Sequence, residues 1–305
     1  MRLFKPPLSQ NCSDQINSQK MTSFTKEEAD DLLSGIESEK LSSDLGYFSK
    51  PFRAYRGDKA FIIKLYLPVK NSSLVASIIS NHGQYISELR SSGLRIPETF
   101  IFCRPKGKKH QIVIIQDSFR DDELLRNRVS EAGMDELKRL CYLVFDDISK
   151  FWRSRKKSVE IGFHPTLRNY ALHDGDLHYF DTFPPMLMNQ RDLNALVLTM
   201  SPYGGPIRKL VPPGLINKVT DEYYHLDKMF TGITGSCCRL RPGDAGKILQ
   251  FSRDYVIRSA ALTEQEKESI LALLKKPPEL PRIWILIRKL SGNVGKPNIN
   301  TPISS

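Results

Sequence analysis

The stretch Gly162–Pro185, GFHPTLRNYALHDGDLHYFDTFPP, constrains this chain more than any other. Tyr170-Ala171-Leu172 and Leu177-His178-Tyr179-Phe180 are short β-prone runs, and the Asp174-Gly175 pair between them favours a tight hairpin turn. Folding about that turn brings Asn169 and Asp181 to the same open end, within about one residue of facing each other. A carboxylate and an amide oxygen held side by side on a rigid hairpin make a seat for a hard cation such as magnesium. Taken alone, the same pattern also describes an ordinary surface hairpin with polar ends.

Upstream, residues 1–22 are polar and aperiodic, as in a flexible arm. Thr25 and Glu28 have the spacing of a capping box, which predicts a short helix to about Ser38. After the turn residues Gly57-Asp58, the segment Ala60–Leu67 (AFIIKLYL) reads as a strand and the second arm of a hairpin. Lys64 lies inside this apolar strand. Alternation puts Ile62, Lys64 and Tyr66 on one face, and a lysine buried there needs an anionic partner. The plainer reading is that Lys64 faces solvent.

Residues 72–90 carry Val75, Ile78, Ile79, Tyr85, Ile86 and Leu89 at helical spacing. His82 falls in that stripe, and Glu88, the helix's one acid, falls off it. A Gly93–Pro97 turn leads to a strand at Thr99–Cys103, a basic turn at Arg104–His110 and a strand at Gln111–Ile115. Residues 134–154 form the strongest amphipathic helix, with Leu137, Leu140, Cys141, Val144, Phe145, Ile148, Phe151 and Trp152 on one stripe. The basic run Arg153–Lys157 suits its carboxyl end. Beyond Pro185, helices are expected at 189–200, 215–230, 244–260, 263–275 and 280–290, and a flexible tail at 291–305. The apolar run Pro281–Leu290 with basic flanks reads as a helix docked on the rest of the protein, or as one touching a membrane surface.

The 305 residues are 40% hydrophobic, enough for one large or two small domains with a real core. No apolar run approaches the roughly 20 residues needed to span a bilayer. The opening MRLFKPPLSQ lacks the apolar region of a secretory signal, and five cysteines without CxxC spacing suit reduced thiols, so a cytoplasmic location is expected. The net charge of +11 would attract an anionic partner. Its cations are dispersed and come with no nucleic-acid-binding motif, so nucleic acid is not an expected partner.

Taken together, these motifs resemble the kinase-like phosphotransferases of the aminoglycoside and choline kinase type, in particular an uncharacterised bacterial branch of that superfamily. That family has an Asp base, an Asn five residues later, a short hairpin, and a second Asp opening a DFG-like motif. Here Asn169 and Asp181, in Asp181-Thr182-Phe183, match the Asn and the second Asp, while His164 stands at the base position. The resemblance implies a two-lobed, protein-kinase-like α+β fold. Its small β-rich lobe would cover residues 23–119, and a mainly helical large lobe, carrying the catalytic hairpin, would cover residues 120–290.

The implied cofactors are ATP and magnesium. Gly46 and Ser49, in the loop Gly46–Lys50, would cover the phosphates and Lys64 would contact them. Gln116 and Ser118, at the hinge position Gln116–Phe119, would receive the adenine. Asn169 and Asp181 would hold the metal, and His164 and Asp181 would serve catalysis. The usual acid on the helix is replaced by His82. Two readings therefore stand: a phosphotransferase acting on a small hydroxylated molecule, or a pseudokinase that binds nucleotide or only scaffolds.

Overall fold

The computed structural model describes residues 26–35, 50–191, 214, 217 and 220–279. Within them the chain is mixed α/β, a small antiparallel sheet with flanking helices followed by a longer helical part. Strands β1 (Lys50–Arg56), β2 (Lys59–Leu65), β3 (Thr99–Lys106) and β4 (Lys109–Asp117) lie in the order β1-β2-β4-β3. Two hairpins build the sheet, and each turns on a glycine in the left-handed region, Gly57 at φ 58° and Gly107 at φ 61°.

The ladder runs further than the apolar pattern suggests. Arg104 pairs with Gln111 and Pro105 with His110, so most of the basic segment expected as a turn is strand. Only Gly107-Lys108 turns, because cross-strand hydrogen bonds continue where side chains can point to solvent.

Each face of the sheet has its own cover. Phe61, Ile63, Phe100, Phe102, Val113 and Ile115 pack under Ala29, Leu32 and Leu33 of α1 (Lys26–Gly35). On the other face, Tyr66, Ile101, Cys103, Ile112 and Ile114 meet Val75 and Ile78 of α2 (Ser72–Ser91), together with Phe183. Asn71 caps α2 by accepting from the Leu74 amide at 3.0 Å. Gly93 ends it at φ 84°, with Leu94 N donating to Leu89 O and Gly93 N to Arg90 O, a Schellman closure.

The carboxyl half of α2 belongs to a different core. Tyr85, Ile86 and Leu89 pack with α4 (Met134–Ser154) and with the helices after it, α5 (Leu226–Leu240), α6 (Ala245–Arg258) and α7 (Glu264–Leu273). α4 spans the residues its apolar period predicts, burying Leu137, Leu140, Val144 and Ile148 completely. Each such side chain contributes roughly 1.5–3 kcal/mol of burial. Around the helix expected at 215–230, the described residues Gly214, Asn217 and Thr220 are helical; Asp221–Tyr224 then form a 3₁₀ turn, His225 is extended, and α5 starts at Leu226. α3 (Leu125–Glu131) has no clear sequence signal, since only Leu125 and Val129 are buried on it.

The basic run after α4 is absorbed structurally. Arg153 pairs with Glu266, the Arg155 guanidinium lies 3.2 Å from the Trp152 ring centre, and Lys156 pairs with Glu88 at 3.0 Å. Glu88 is thus buried, although the helical wheel placed it off the apolar face, because a loop cation reaches it. The arm at 1–22, the tail at 291–305, the segment 280–290 and most of 189–200 lie outside the described residues.

Candidate active site

The hairpin comprises β5 (Tyr170–His173) and β6 (Asp176–Tyr179). Its turn residues Asp174 and Gly175 both have positive φ, 50° and 85°, the conformation that selects an Asp-Gly pair. Tyr170 pairs with Tyr179, and Phe180 N donates to Asn169 O at 2.9 Å, so Asp181 lies one step past level with Asn169. The hairpin is clamped on both sides, Leu172 N donating to Glu123 O and Tyr179 N to Arg95 O, each at 2.8 Å. The buried Glu123 carboxylate also accepts from Arg120 N at 2.7 Å and bonds His173 Nδ1 at 2.7 Å.

The preceding loop is fixed through its backbone. Gly162 N donates to Met186 O and Phe163 N to Tyr223 O, both at 2.8 Å. The Phe163 ring is fully buried, 4.7 Å from Phe151 and 5.0 Å from Tyr179 between ring centres. Asn169 is 7% exposed, and its Nδ2 donates to His164 O at 2.9 Å, leaving Oδ1 as the amide's acceptor. The His164 ring stacks on Tyr223 at 4.0 Å and 28°.

Lys64 lies opposite Ile114 in β4 and shares a face with Tyr66, whose ring sits 4.4 Å from Phe183. This face meets α2 and the Asp181-Thr182-Phe183 segment. Burial lowers the Lys64 pKa, and the Asp181 carboxylate partly restores it. Burial raises the Asp181 pKa, opposed by the nearby charges of Lys64 and Arg168. Gln116 Oε1 stands 3.5 Å from Lys64 Nζ, oriented by Nε2 donating to Thr99 Oγ1 at 2.8 Å.

His82 is 1% exposed and shares a 3.0 Å hydrogen bond with Thr182 Oγ1. Its pKa is pushed down to about 3, first by burial and then by the charge of Lys64. The helix therefore offers Lys64 a neutral imidazole where the resembled family has a carboxylate.

The expected residues Lys64, Asn169 and Asp181 come together at one place, with His164 held through its backbone carbonyl to Asn169. Gln116 reaches Lys64 with its side chain from within β4. Ser118 extends the β2–β4 ladder two residues beyond Gln116, its amide donating to Ala60 O at 3.1 Å. Gly46 and Ser49 lie outside the described residues. Sequence reading missed Thr182, Tyr223 and Arg168, which adjoin His82, His164 and Asp181. Arg168 alone had a usable signal, its place directly before Asn169.

Among the described residues, no three His, Cys, Asp or Glu side chains gather as a metal site. Asn169 and Asp181 adjoin at the open end of the hairpin, and an amide oxygen with a carboxylate is a donor pair that could hold magnesium whose other ligands are phosphate oxygens and water. No helix of the described residues is long and apolar enough to cross a membrane.

No curated protein matches the sequence. Among solved structures, the chain is similar to one described as WaaP in complex with acyl carrier protein, at 14% identity and a TM-score of 0.41, covering 84% of this chain and 91% of that one. Residues 34–295 match the model of a family described as a family of unknown function (DUF6206), and the chain belongs to that family.

Proposed function

We propose that this protein is a phosphotransferase of two-lobed kinase-like fold that uses ATP and magnesium to phosphorylate a hydroxylated small molecule. The observation that carries the reading is the meeting of Lys64 and Asp181, two half-buried opposite charges from distant elements, beside Asn169 at the open end of the hairpin. Burying both charges is expensive, and a magnesium–triphosphate complex, its phosphates on Lys64 and its metal on Asp181, would offset much of that cost. In this reading Lys64 holds the phosphates, while Asp181 and Asn169 Oδ1 seat the metal that neutralises them. The acceptor oxygen bonds to the γ-phosphorus, the bond to the bridging oxygen breaks, and ADP leaves with the electron pair. A ring nitrogen of His164 takes the hydroxyl proton.

A second reading, a pseudokinase, is favoured by His82 and His164, neutral-capable rings where the resembled family carries acids. The test is thermal stability with ATP, alone and with magnesium. Saturation at 100 times the dissociation constant should add about 2.7 kcal/mol, and Asp181→Ala should abolish the magnesium-dependent part. Absence of any shift at millimolar ATP excludes both nucleotide-binding readings, and binding without transfer to any alcohol leaves the pseudokinase.

A further inference from the structure

The fold treats the two basic runs of the sequence, Arg153–Lys157 and Arg104–His110, in opposite ways. In the first, Arg153 pairs with Glu266 and Lys156 with Glu88. The second forms the tip of the β3–β4 hairpin, where Lys106 faces Lys109 across the strands and Lys108 occupies the turn. A fourth lysine joins them. Val69 and His110 exchange backbone hydrogen bonds of 2.9 and 2.7 Å, which sets Lys70 beside the tip. Lys70, Lys106, Lys108 and Lys109 are all exposed. Among the described residues, none of these four side chains makes an ion pair or a hydrogen bond.

The other hairpin of the same sheet shows the contrast. At its tip Arg56 pairs with Glu28 and Lys59 with Asp117, and Asp58 lies in the turn itself. Neither the hairpin residues 99–111 nor the connection 68–73 contains an acid. Lys106 and Lys109, directly opposite, therefore repel each other with nothing between them to relieve it. The root of the tip is firmly held, the buried Gln111 accepting from Arg104 Nε at 2.9 Å and donating to Tyr66 O at 2.6 Å. Protection of an open edge accounts for a lysine on the outer strand β3. It does not account for those in the turn, on the inner strand β4 and beside it.

The chemistry of the tip also selects the anion it fits. The exposed large apolar side chains among the described residues are Tyr55, Ile257 and Leu273, and none is at the tip. A protein interface has a centre rich in aromatic residues, methionine and arginine, in which lysine is depleted. Single-stranded nucleic acid is held by aromatic rings that stack on its bases. An anionic bilayer needs neither, because lysines within a Debye length of its headgroups bind through charge alone.

We propose that the β3–β4 tip, together with Lys70, docks this protein peripherally on an anionic lipid surface. The inference is independent of the phosphotransferase reading. Each lysine near such a surface strengthens binding about fivefold, so Lys106 and Lys109 together contribute roughly 25-fold.

Cosedimentation of the full chain with vesicles tests this, using phosphatidylcholine alone or mixed in equal parts with phosphatidylglycerol. Wild type is expected to bind the mixed vesicles at low salt and the neutral ones not at all. Binding should vanish at about 1 M salt, where the Debye length falls to about 3 Å. The double variant Lys106→Gln/Lys109→Gln should lower the partition coefficient on mixed vesicles roughly 25-fold, while Lys106→Arg/Lys109→Arg should keep it. Lys157→Gln/Lys247→Gln makes the same charge change at exposed lysines on other elements and should alter binding little. Melting temperatures should not fall in any variant, which separates lost docking from lost folding. An equal loss in the Lys157/Lys247 variant assigns the binding to net charge and overturns the proposal. So does full binding by the Lys106/Lys109 glutamine variant, or a wild type indifferent to phosphatidylglycerol. Poly-glutamate or duplex DNA that binds through the tip lysines while mixed vesicles do not makes the partner an acidic macromolecule and also overturns it.

Discussion

His82 on α2 and Thr182 beyond the hairpin share a 3.0 Å hydrogen bond across 100 residues of sequence. Both are 1% exposed, and the bond ties the helix under the sheet to the residue following Asp181. An imidazole here can stay only if it stays neutral, since burial and Lys64 both oppose its protonation.

That requirement makes stability depend on pH with a definite sign. The folded pKa of about 3 lies below the unfolded value near 6.5, so the unfolded chain binds the extra proton between them. The His82 contribution is complete above the unfolded value and is lost as pH falls from there toward 3. The slope is at most about 1.4 kcal/mol per pH unit. His82→Gln, which can keep a bond to Thr182, should flatten this limb in urea midpoints measured from pH 7 to 4. Parallel pH curves for variant and wild type would contradict the assignment.

How much of this was legible follows from which signals are local. The Asp174-Gly175 turn, the Lys64 strand and the stripe of α4 depend on neighbours in sequence, and each took its expected place. The partners did not announce themselves. Glu88 found Lys156, and His164 found Tyr223, through packing between segments far apart in the chain. α3 has seven residues and two buried positions, too short for a periodic pattern to register.

Lys64 and Asp181 should be energetically coupled. Removing one charge leaves the other half-buried with less compensation, so Lys64→Met and Asp181→Asn should each destabilise the protein. The double variant should recover about 0.5–3 kcal/mol of the summed losses, the range for directly interacting residues. A double-mutant cycle by chemical denaturation measures this, and strict additivity would show that the charges do not meet.

Phe163 is 0% exposed and holds the start of the His164 loop against Phe151 and Tyr179. Truncation leaves a cavity, and Phe163→Ala should cost about 3–5 kcal/mol. Phe163→Leu should cost distinctly less, because most of the volume remains. The comparison of urea midpoints checks whether the loop is anchored by this ring or by its two backbone hydrogen bonds alone.

His164 decides between enzyme and pseudoenzyme. Its ring is held flat against Tyr223, and its carbonyl is held by Asn169, so the side chain is positioned rather than loose. General-base help is worth about 10²–10⁴-fold, and much of phosphoryl transfer comes instead from positioning and charge stabilisation. A histidine can therefore replace the usual carboxylate without abolishing turnover. It cannot supply a negative charge, and as imidazolium beside a divalent cation it would repel the metal. Turnover should fall on acidification, because a protonated ring cannot take the hydroxyl proton. His164→Ala should lower it by one to a few orders of magnitude, within the about 10²–10⁴-fold span of base catalysis or somewhat below it. His164→Asp should retain more activity than His164→Ala and lose the acid limb of the profile. Transfer from ATP to a panel of alcohols and phosphate esters is the assay. If wild type and both variants are equally inactive while ATP still raises the melting temperature, the ring is a packing residue on Tyr223 and the protein is a pseudokinase.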